Sequence, residues 1–311
     1  MKIFDSITKF PSNVKTIVTL GTFDGVHKGH IAIINRINDI AKKNNLESVL
    51  LTFYPHPRHV LYPDDQNLKL INTIEEKIDS LKLTGLDNLI IHKFDKNFSR
   101  LKSVNFIRDI LVEKLNMNYM IVGFDHQFGK NREGSFEDLI QFSNLYDFKI
   151  EKIEAQLVEG VAISSTKIRK AIQAGEIVKV NSYLSSTYSI TATVIKGNNI
   201  GNSIGFPTAN LDVSNKWKII PKNGVYFVSV LVQNRKYFGM LNLGSRPTIT
   251  DSTFVIEVHL FDFNKQIYND IVKVNFLKRI REEKKFLDLS KLKLQLKKDE
   301  IECRSMIDNF C

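Results

Sequence analysis

The sequence predicts an α/β layer on a mostly parallel sheet, followed by a small antiparallel β structure that ends in a helix. Three observations predict it. Short apolar runs alternate with helical periods through the first half. Beyond about residue 183, strand-like runs crowd together, separated by turn residues and not by helices. A helical pattern returns at about Ser290–Met306. A length of 311 residues fits two domains, and we expect them at residues 1–183 and 184–311.

The first-half strand candidates are Thr16–Leu20, Ser48–Phe53, Asn88–Phe94, Tyr119–Phe124 and Phe148–Ile153. Their Val, Ile, Leu and Phe content suits strands buried on both faces. Between them, Ile33, Ile34, Ile37, Ile40 and Ala41 form one helical stripe, and Phe106, Ile107, Ile110, Leu111 and Leu115 form another. A last helix of this half, near Ser165–Ala174, stops at Gly175, a residue suited to a helix C-terminus. The polar stretch NSYLSSTYS, 181–189, lacks helical period and reads as a linker. The second-half strands are Ile190–Lys196, Gly224–Gln233, Lys236–Leu243, Thr253–Phe263 and Ile271–Phe276, as in an antiparallel barrel or sandwich.

Composition narrows the function classes. With 43% hydrophobic and 25% charged residues, the chain has enough apolar material for packed cores, which excludes a disordered or fibrous protein. No window approaches the roughly 18 apolar residues of a membrane helix. The opening MKIFDSITKFPSNVK has no apolar leader pattern, so a cytoplasmic location is expected. The two cysteines, Cys303 and Cys311, make neither a disulfide framework nor a zinc site. The net charge of +10 comes from lysines spread along the chain. One dense stretch, 278–298, has Glu282, Glu283, Asp288 and Asp299 mixed in or adjoining, as on a solvated helix face. We therefore expect no nucleic-acid partner and no membrane. A local basic site for an acidic small molecule is the better match.

The segment TIVTLGTFDGVHKGHIAIINRI carries the first chemistry. A buried strand ends at Leu20, a loop with Gly21, Gly25 and Gly29 follows, and a helix begins near Gly29–His30. Ligands of open α/β sheets bind at the carboxyl ends of the strands, and a helix N-terminus attracts anions, so a phosphate is the natural guest. His27 and His30 stand where they can donate to phosphate oxygens as charge grows on them. The alternatives are a zinc pair, for which no third ligand lies nearby in the sequence, and ordinary surface histidines, against which the flanking glycines and the strand–loop–helix context speak. In ISSTKIRKAI, 163–172, Ser164, Ser165 and Thr166 start a helix, with Arg169 one turn in. That set is either a polyphosphate clamp or a plain cap with a surface arginine.

The second constellation lies in the β half. In VIKGNNIGNSIGFPTANL, Gly197, Gly201 and Gly205 recur outside any helical pattern, as at turns where a ligand approaches the main chain. Thr208 and Asn210 alternate along an extended segment and present two neutral oxygens to one side, a fit for Mg²⁺ already part-held by phosphates. In STFVIEVHLFDF, Ile256, Val258 and Leu260 form an apolar face, and Val255, Glu257, His259, Phe261 and Phe263 form the other. Glu257 is either a structural carboxylate or a general base.

These motifs together resemble a known family. HKGH is the HxGH signature of nucleotidylyltransferases, and GTFDGVHKGH with TFYPHPR at 52–58 resembles the FMN adenylyltransferase module of bacterial bifunctional riboflavin kinase/FAD synthetases. VGFDHQFGKNREGS at 122–135 and the SSTxIR pattern of 164–169 resemble the same module. GFPTANL, NGVYFV, LNLGSRPT and EVHLFDF resemble, in order, its riboflavin kinase module. The resemblance implies a Rossmann-like nucleotidylyltransferase domain followed by a six-stranded antiparallel barrel with a C-terminal helix. It implies that riboflavin is phosphorylated by ATP with Mg²⁺, and that FMN is then adenylylated to FAD.

For the first site it implies His27, His30 and Arg169 as catalytic groups, with Gly21, Phe23, Asp24, Gly29, Asp125, Ser164, Ser165 and Thr166 binding nucleotide or flavin. For the second it implies Glu257 as base, Thr208 and Asn210 as ligands of Mg²⁺–ATP, and Gly201, Gly205, Asn242 and Arg246 in the binding loops. The partners expected are ATP, riboflavin and FMN, with the chain a monomer or weak homo-oligomer. The sequence departs from the family at His126, at Asn202, at IYND (267–270) and in the linker. The readings set against this one are a single-activity adenylyltransferase with a vestigial barrel and a non-catalytic flavin-responsive binder.

Overall fold

The computed structural model describes every residue except 66, 124–128, 130–133, 159, 198–199, 248–251, 287 and 311. The chain divides into two compact units, Met1–Ser165 and Thr166–Cys311.

In the first unit the apolar runs form a six-stranded parallel sheet. Its strands are β1 (Lys2–Phe4), β2 (Thr16–Leu20), β3 (Glu47–Tyr54), β4 (Asn88–Lys93), β5 (Met117–Gly123) and β6 (Lys149–Ile153). They lie in the order β1-β4-β3-β2-β5-β6. All five residues of β2 are buried, because both faces of the sheet are covered. Side chains alternate between two cores. Val18, Val49, Leu51, Ile90 and Met120 serve one, and Ile17, Leu50, Leu89 and Ile121 serve the other.

The helices are α1 (Lys28–Asn44), α2 (Pro57–Leu61), α3 (Ile74–Lys82), α4 (Ser103–Asn105) and α5 (Phe136–Tyr146). A small antiparallel hairpin, β7 (Leu157–Val158) and β8 (Val161–Ala162), follows. The expected stripe on α1 is fully buried. The second stripe falls on a wider π-helical turn, Phe106–Lys114, that continues α4. Its Phe106, Ile107, Leu111 and Leu115 are buried, and Ile110 packs partly against them. The strand β1, only three residues long and mostly exposed, carries no periodicity that the sequence reading could use.

The strand order decides where a ligand can enter. From β2 the chain steps to β3 and β4 on one side, then crosses to β5 and β6 on the other. Beyond the carboxyl ends of β2 and β5, the connections therefore diverge and leave a crevice. The glycine- and histidine-bearing loop leaves β2 at this point.

The second unit begins with α6 (Ser165–Ala174, all but its first residue) and α7 (Ile177–Tyr183). Next come β9 (Ser189–Ile195), α8 (Ile200–Ser203), β10 (Ala209–Asp212), β11 (Gly224–Val232), β12 (Arg235–Pro247), β13 (Ser252–Leu260), β14 (Ile271–Arg281) and α9 (Leu289–Arg304). The six strands close into an antiparallel barrel in the order β10-β13-β12-β11-β14-β9, with β9 pairing back onto β10. Closure selects the barrel over the sandwich. Ile256, Val258 and Leu260 are buried in the barrel wall as expected, and Val255, Glu257 and His259 lie half-buried on the opposite face. Leu292 and Leu296 of α9 pack over Phe227, Phe261 and Cys303.

Four expectations are corrected here. The helix Ser165–Ala174 ends at Gly175 (φ +77°) as expected, but α7 follows it. The linker is not loose: Asn181–Tyr183 close α7, and Tyr183, Leu184 and Tyr188 are buried. Asn181 accepts from Tyr188 N (2.8 Å) and donates to Phe276 O (2.9 Å), so the polar stretch is bonded into the barrel. The lysine-dense stretch is not one solvated helix face, because its first part is the end of β14. Asp299 is 2% exposed and accepts from Arg281 Nε (2.9 Å) and Nη2 (2.7 Å) and from Gln295 (2.8 Å). Finally, Gly201 lies in the single turn α8 and not outside helical structure.

Candidate active sites

At the end of β2 the chain makes a tight loop that carries two residues through the left-handed backbone region, Phe23 (φ +46°) and Val26 (φ +39°). Each costs about 1–3 kcal/mol and persists only where its surroundings hold it. Here they do. The buried Asp24 carboxylate accepts from Ile71 N (3.0 and 3.1 Å) and Asn72 N (3.2 Å). The Thr22 carbonyl accepts from Thr52 Oγ1 (3.3 Å) and Lys77 Nζ (2.6 Å). The Ser165 hydroxyl donates to Asp24 O (2.9 Å).

The loop delivers a ring stack to the start of α1. Phe23 lies 4.4 Å from His30, and His30 lies 3.6 Å from His27, with interplanar angles of 24° and 17°. The helix begins at Lys28, slightly earlier than the sequence suggests, because His27 is its N-cap. His27 Nδ1 accepts from His30 N (3.4 Å), which leaves the proton of the neutral ring on Nε2. Gly29 favours this approach, since a Cβ there would stand in a tight 3.1 Å contact with the His27 ring. A Cβ at Gly21 would stand 3.2 Å from the Phe23 ring.

His30 Nδ1 is buried and has no hydrogen-bond partner among the described residues. The residue as a whole is half-buried. Its dense surroundings nevertheless hold its pKa well below the ordinary histidine value, first by burial and then by the charges of His27 and Lys77. A neutral imidazole carries one N–H, and beside a helix N-terminus that donor suits an anion. Ser164 stands immediately before α6, and Thr166 and Arg169 lie in its first turns. Asp125 and His126 lie outside the described residues.

The barrel builds a second site from strand register. Asn210 on β10 pairs with Glu257 on β13, and Glu257 pairs with Asn242 on β12. Directly opposed residues share a face, so Asn210, Glu257 and Asn242 form one polar row across three strands. Thr208 stands just before β10, and the preceding Pro207 carbonyl accepts from His259 Nδ1 (2.7 Å). Two glycines let neighbouring groups pack against the main chain where a side chain would collide. A Cβ at Gly197 would lie 1.9 Å from Asn210 Nδ2, and one at Gly201 would lie 2.2 Å from Phe206 O and 3.3 Å from Thr208 Oγ1. Gly205 takes φ +84°. Glu283 bonds Ser245 N (3.1 Å) and lies over Gly244, next to Asn242. Arg246 is placed on β12 opposite Thr253, and its side chain lies outside the described residues.

Comparison with known proteins finds relatives along both halves of the chain. Residues 9–167 match the family described as FAD synthetase, and residues 184–307 match the family described as riboflavin kinase. A curated relative from Buchnera aphidicola, named bifunctional riboflavin kinase/FMN adenylyltransferase, is 37% identical over 92% of this chain and 92% of its own. One of the same name from Bacillus subtilis is 36% identical over 95% of this chain and 94% of its own. The chain belongs to the bifunctional riboflavin kinase/FMN adenylyltransferase family. A crystal structure from Streptococcus pneumoniae, titled a macrolide-efflux protein, has the same fold, with a TM-score of 0.89 and 33% identity over 97% of this chain and 98% of its own. No helix among the described residues here is long and apolar enough to cross a membrane.

Within this family framework, the structure gathers Phe23, Asp24, His27, His30 and Ser165 at one place and Thr208, Asn210, Asn242 and Glu257 at another. Two neighbours escaped the sequence reading. Lys77 is 7% exposed on α3 and reaches the histidine loop. Its signal was faint: it stands four residues before the buried Leu81, on the inward stripe of the helix. His259 shares the Glu257 face in the strand alternation, which could have marked it as a holder of the Thr208 turn.

Proposed function

We propose that this chain carries both activities for which its family is named. One is phosphorylation of riboflavin to FMN, and the other is adenylylation of FMN to FAD. We assign the kinase to residues 184–311 and the adenylyltransferase to residues 1–183, with α6 and α7 grouped with the barrel by their packing. The observation that carries the reading is that each compact unit holds its own phosphate-suited polar cluster. One is a stacked histidine pair at a helix N-terminus, and the other is an amide–carboxylate row beside two glycines.

In the barrel, Glu257 takes the proton of the ribityl hydroxyl as its oxygen attacks the γ-phosphorus of ATP, and ADP leaves. Thr208 and Asn210 suit a Mg²⁺ that arrives with the nucleotide, because they offer neutral side-chain oxygens that glycines at 197 and 201 allow to lie close to the main chain. When bound, the ion neutralises phosphate charge. Asn242 and Arg246 belong to the surrounding flavin and nucleotide loops.

In the α/β unit, an FMN phosphate oxygen attacks the α-phosphorus of a second ATP, and pyrophosphate leaves. His27 Nε2–H and the first N–H groups of α1 meet the charge that grows on the phosphate oxygens. His30, neutral and stacked between Phe23 and His27, supplies a further polar edge to the same oxygens. The hydroxyls of Ser164, Ser165 and Thr166, the Arg169 guanidinium and Asp125 enter the reading on their motifs. The reading includes a cytoplasmic location, small-molecule partners only, and a monomer or weak homo-oligomer.

The test is to incubate the full chain with ATP, Mg²⁺ and either riboflavin or FMN, and to separate the flavins by chromatography. Glu257→Gln should abolish FMN formation and leave FMN-to-FAD conversion intact. His30→Ala should do the reverse, with a barrier increase on the order of 2.7–4 kcal/mol. Equal loss of both activities in a folded Glu257→Gln protein would refute independent sites.

A further inference from the structure

We infer that Lys77 is a positioning residue of the adenylyl-transfer site: its ammonium clamps the Thr22 carbonyl and thereby fixes the loop that stacks Phe23, His30 and His27. The inference rests on the adenylyltransferase reading of that site.

The geometry begins with α3. Thr73 and Glu76 close its first turn with a reciprocal capping box (Glu76 N to Thr73 Oγ1, 3.3 Å; Thr73 N to Glu76 Oε2, 3.0 Å). The next residue, Lys77, is thus held on a rigid support. Its side chain is 7% exposed, and among the described residues its ammonium donates to Thr22 O alone, at 2.6 Å. A lysine at a helix surface ordinarily sends its charge to water. This one buries its charge against a carbonyl, an arrangement that costs free energy and needs a return.

That return is the shape of the loop. Segment Ile71–Lys77 grips residues Thr22–Asp24 from two directions, by main-chain N–H groups on the Asp24 carboxylate and by the ammonium on the Thr22 carbonyl. Between those two anchors sits Phe23, in the left-handed region and stacked on His30. Releasing the Thr22 carbonyl frees the strained residue that sets the position of the stack.

Charge adds a second effect. Asp24 on the loop acts on Lys77, His27 at the helix cap and Lys77 act on His30, and Glu76 beside Lys77 is engaged in the capping box. Burial lowers the Lys77 pKa to about 8, against the pull of Asp24. The positive charge in turn helps to keep the neighbouring imidazole neutral.

The experiment uses the full chain with Lys77→Met and Lys77→Arg. It measures FMN adenylylation, riboflavin phosphorylation in the same preparation, and the NMR titration of the His30 ring. Lys77→Met should lower the adenylylation kcat by about tenfold or more while the KM for ATP moves less than about threefold. His30 should titrate at higher pH than in the unaltered chain. Lys77→Arg should restore most of the rate, and riboflavin phosphorylation should stay unchanged in both. In the unaltered chain adenylylation should decline above about pH 8, where Lys77 loses its proton. Lys77→Arg should lift that limb, because a guanidinium does not titrate there. This arm decides the matter even if Lys77→Met does not fold.

Three results overturn the assignment. They are wild-type adenylylation in Lys77→Met, an alkaline limb unmoved by Lys77→Arg, and a large rise in the KM for ATP at constant kcat, which would place Lys77 on the nucleotide itself. If the unaltered chain makes no FAD, the reading of the whole site falls along with the inference. If it makes FAD and any of the three results appears, only the role of Lys77 falls.

Discussion

Gly197→Ala would place a Cβ 1.9 Å from Asn210 Nδ2 and 2.5 Å from its Cγ, where ordinary contact begins at 3.4 Å. The amide must therefore withdraw by about 1.5 Å or rotate away. The backbone at Gly197 is not in the left-handed region, so alanine strains nothing else. Asn210 is a short side chain at the half-buried end of β10, and its displacement should cost the fold less than about 1 kcal/mol. The cost falls on chemistry, because Asn210 stands in register with Glu257. A misplacement of about 1 Å at a reacting centre can cost a hundredfold in rate. We therefore expect riboflavin phosphorylation to fall about a hundredfold in kcat/KM while FMN adenylylation by the same preparation is unchanged. The assay is the flavin separation described above, run with each substrate, beside a urea unfolding curve. A kinase within about threefold of wild type would refute the claim that Asn210 must sit beside Glu257.

Other consequences follow from the same geometry. Arg281→Met strips the buried Asp299 of its ion pair and should destabilise the barrel unit by about 3–5 kcal/mol in denaturant unfolding; a change under about 1 kcal/mol would show that the carboxylate is solvated after all. A fragment of residues 166–311 should fold and phosphorylate riboflavin, whereas 184–311 should be less stable, because it loses the Asn181 bonds to Phe276 and Tyr188; equal melting temperatures would refute this. Burial lowers the pKa of both His30 and His92. As pH falls below about 6.5, the unfolded chain binds protons that these folded rings resist, so stability of the α/β unit should decline. Unfolding midpoints at pH 7.5 and 5.5 check this, and His30→Gln should flatten the slope.

Much of this was legible in the residues themselves. Strands such as Thr16–Leu20 announce themselves because a strand covered on both faces is short and mostly apolar, Thr16 and Thr19 being its two polar members. Glu257 and its apolar neighbours separate by simple alternation. His27 and His30 are conspicuous because glycines, a preceding strand and a following helix surround them. The resemblance of those motifs to the flavin enzymes is the resemblance that the comparisons find.

What lay beyond the sequence shares one cause: contacts between segments that local pattern does not couple. The linker stretch looks polar, yet Tyr183, Leu184 and Tyr188 are buried once β14 supplies Phe276 O for Asn181 to bond. Asp299 reads as a surface acid until β14 brings Arg281 beside it. Lys77 reads as a solvated lysine until α3 docks against the histidine loop. By itself, the order of residues determined most of the strands, the faces they bury and the chemical types at both sites, because these depend on period and composition. Only the tertiary structure decided that Asn210, Glu257 and Asn242 stand in one row and that a buried ammonium braces the histidine stack. Strand register and helix docking are settled by closing the barrel and packing the sheet, which no single segment does alone.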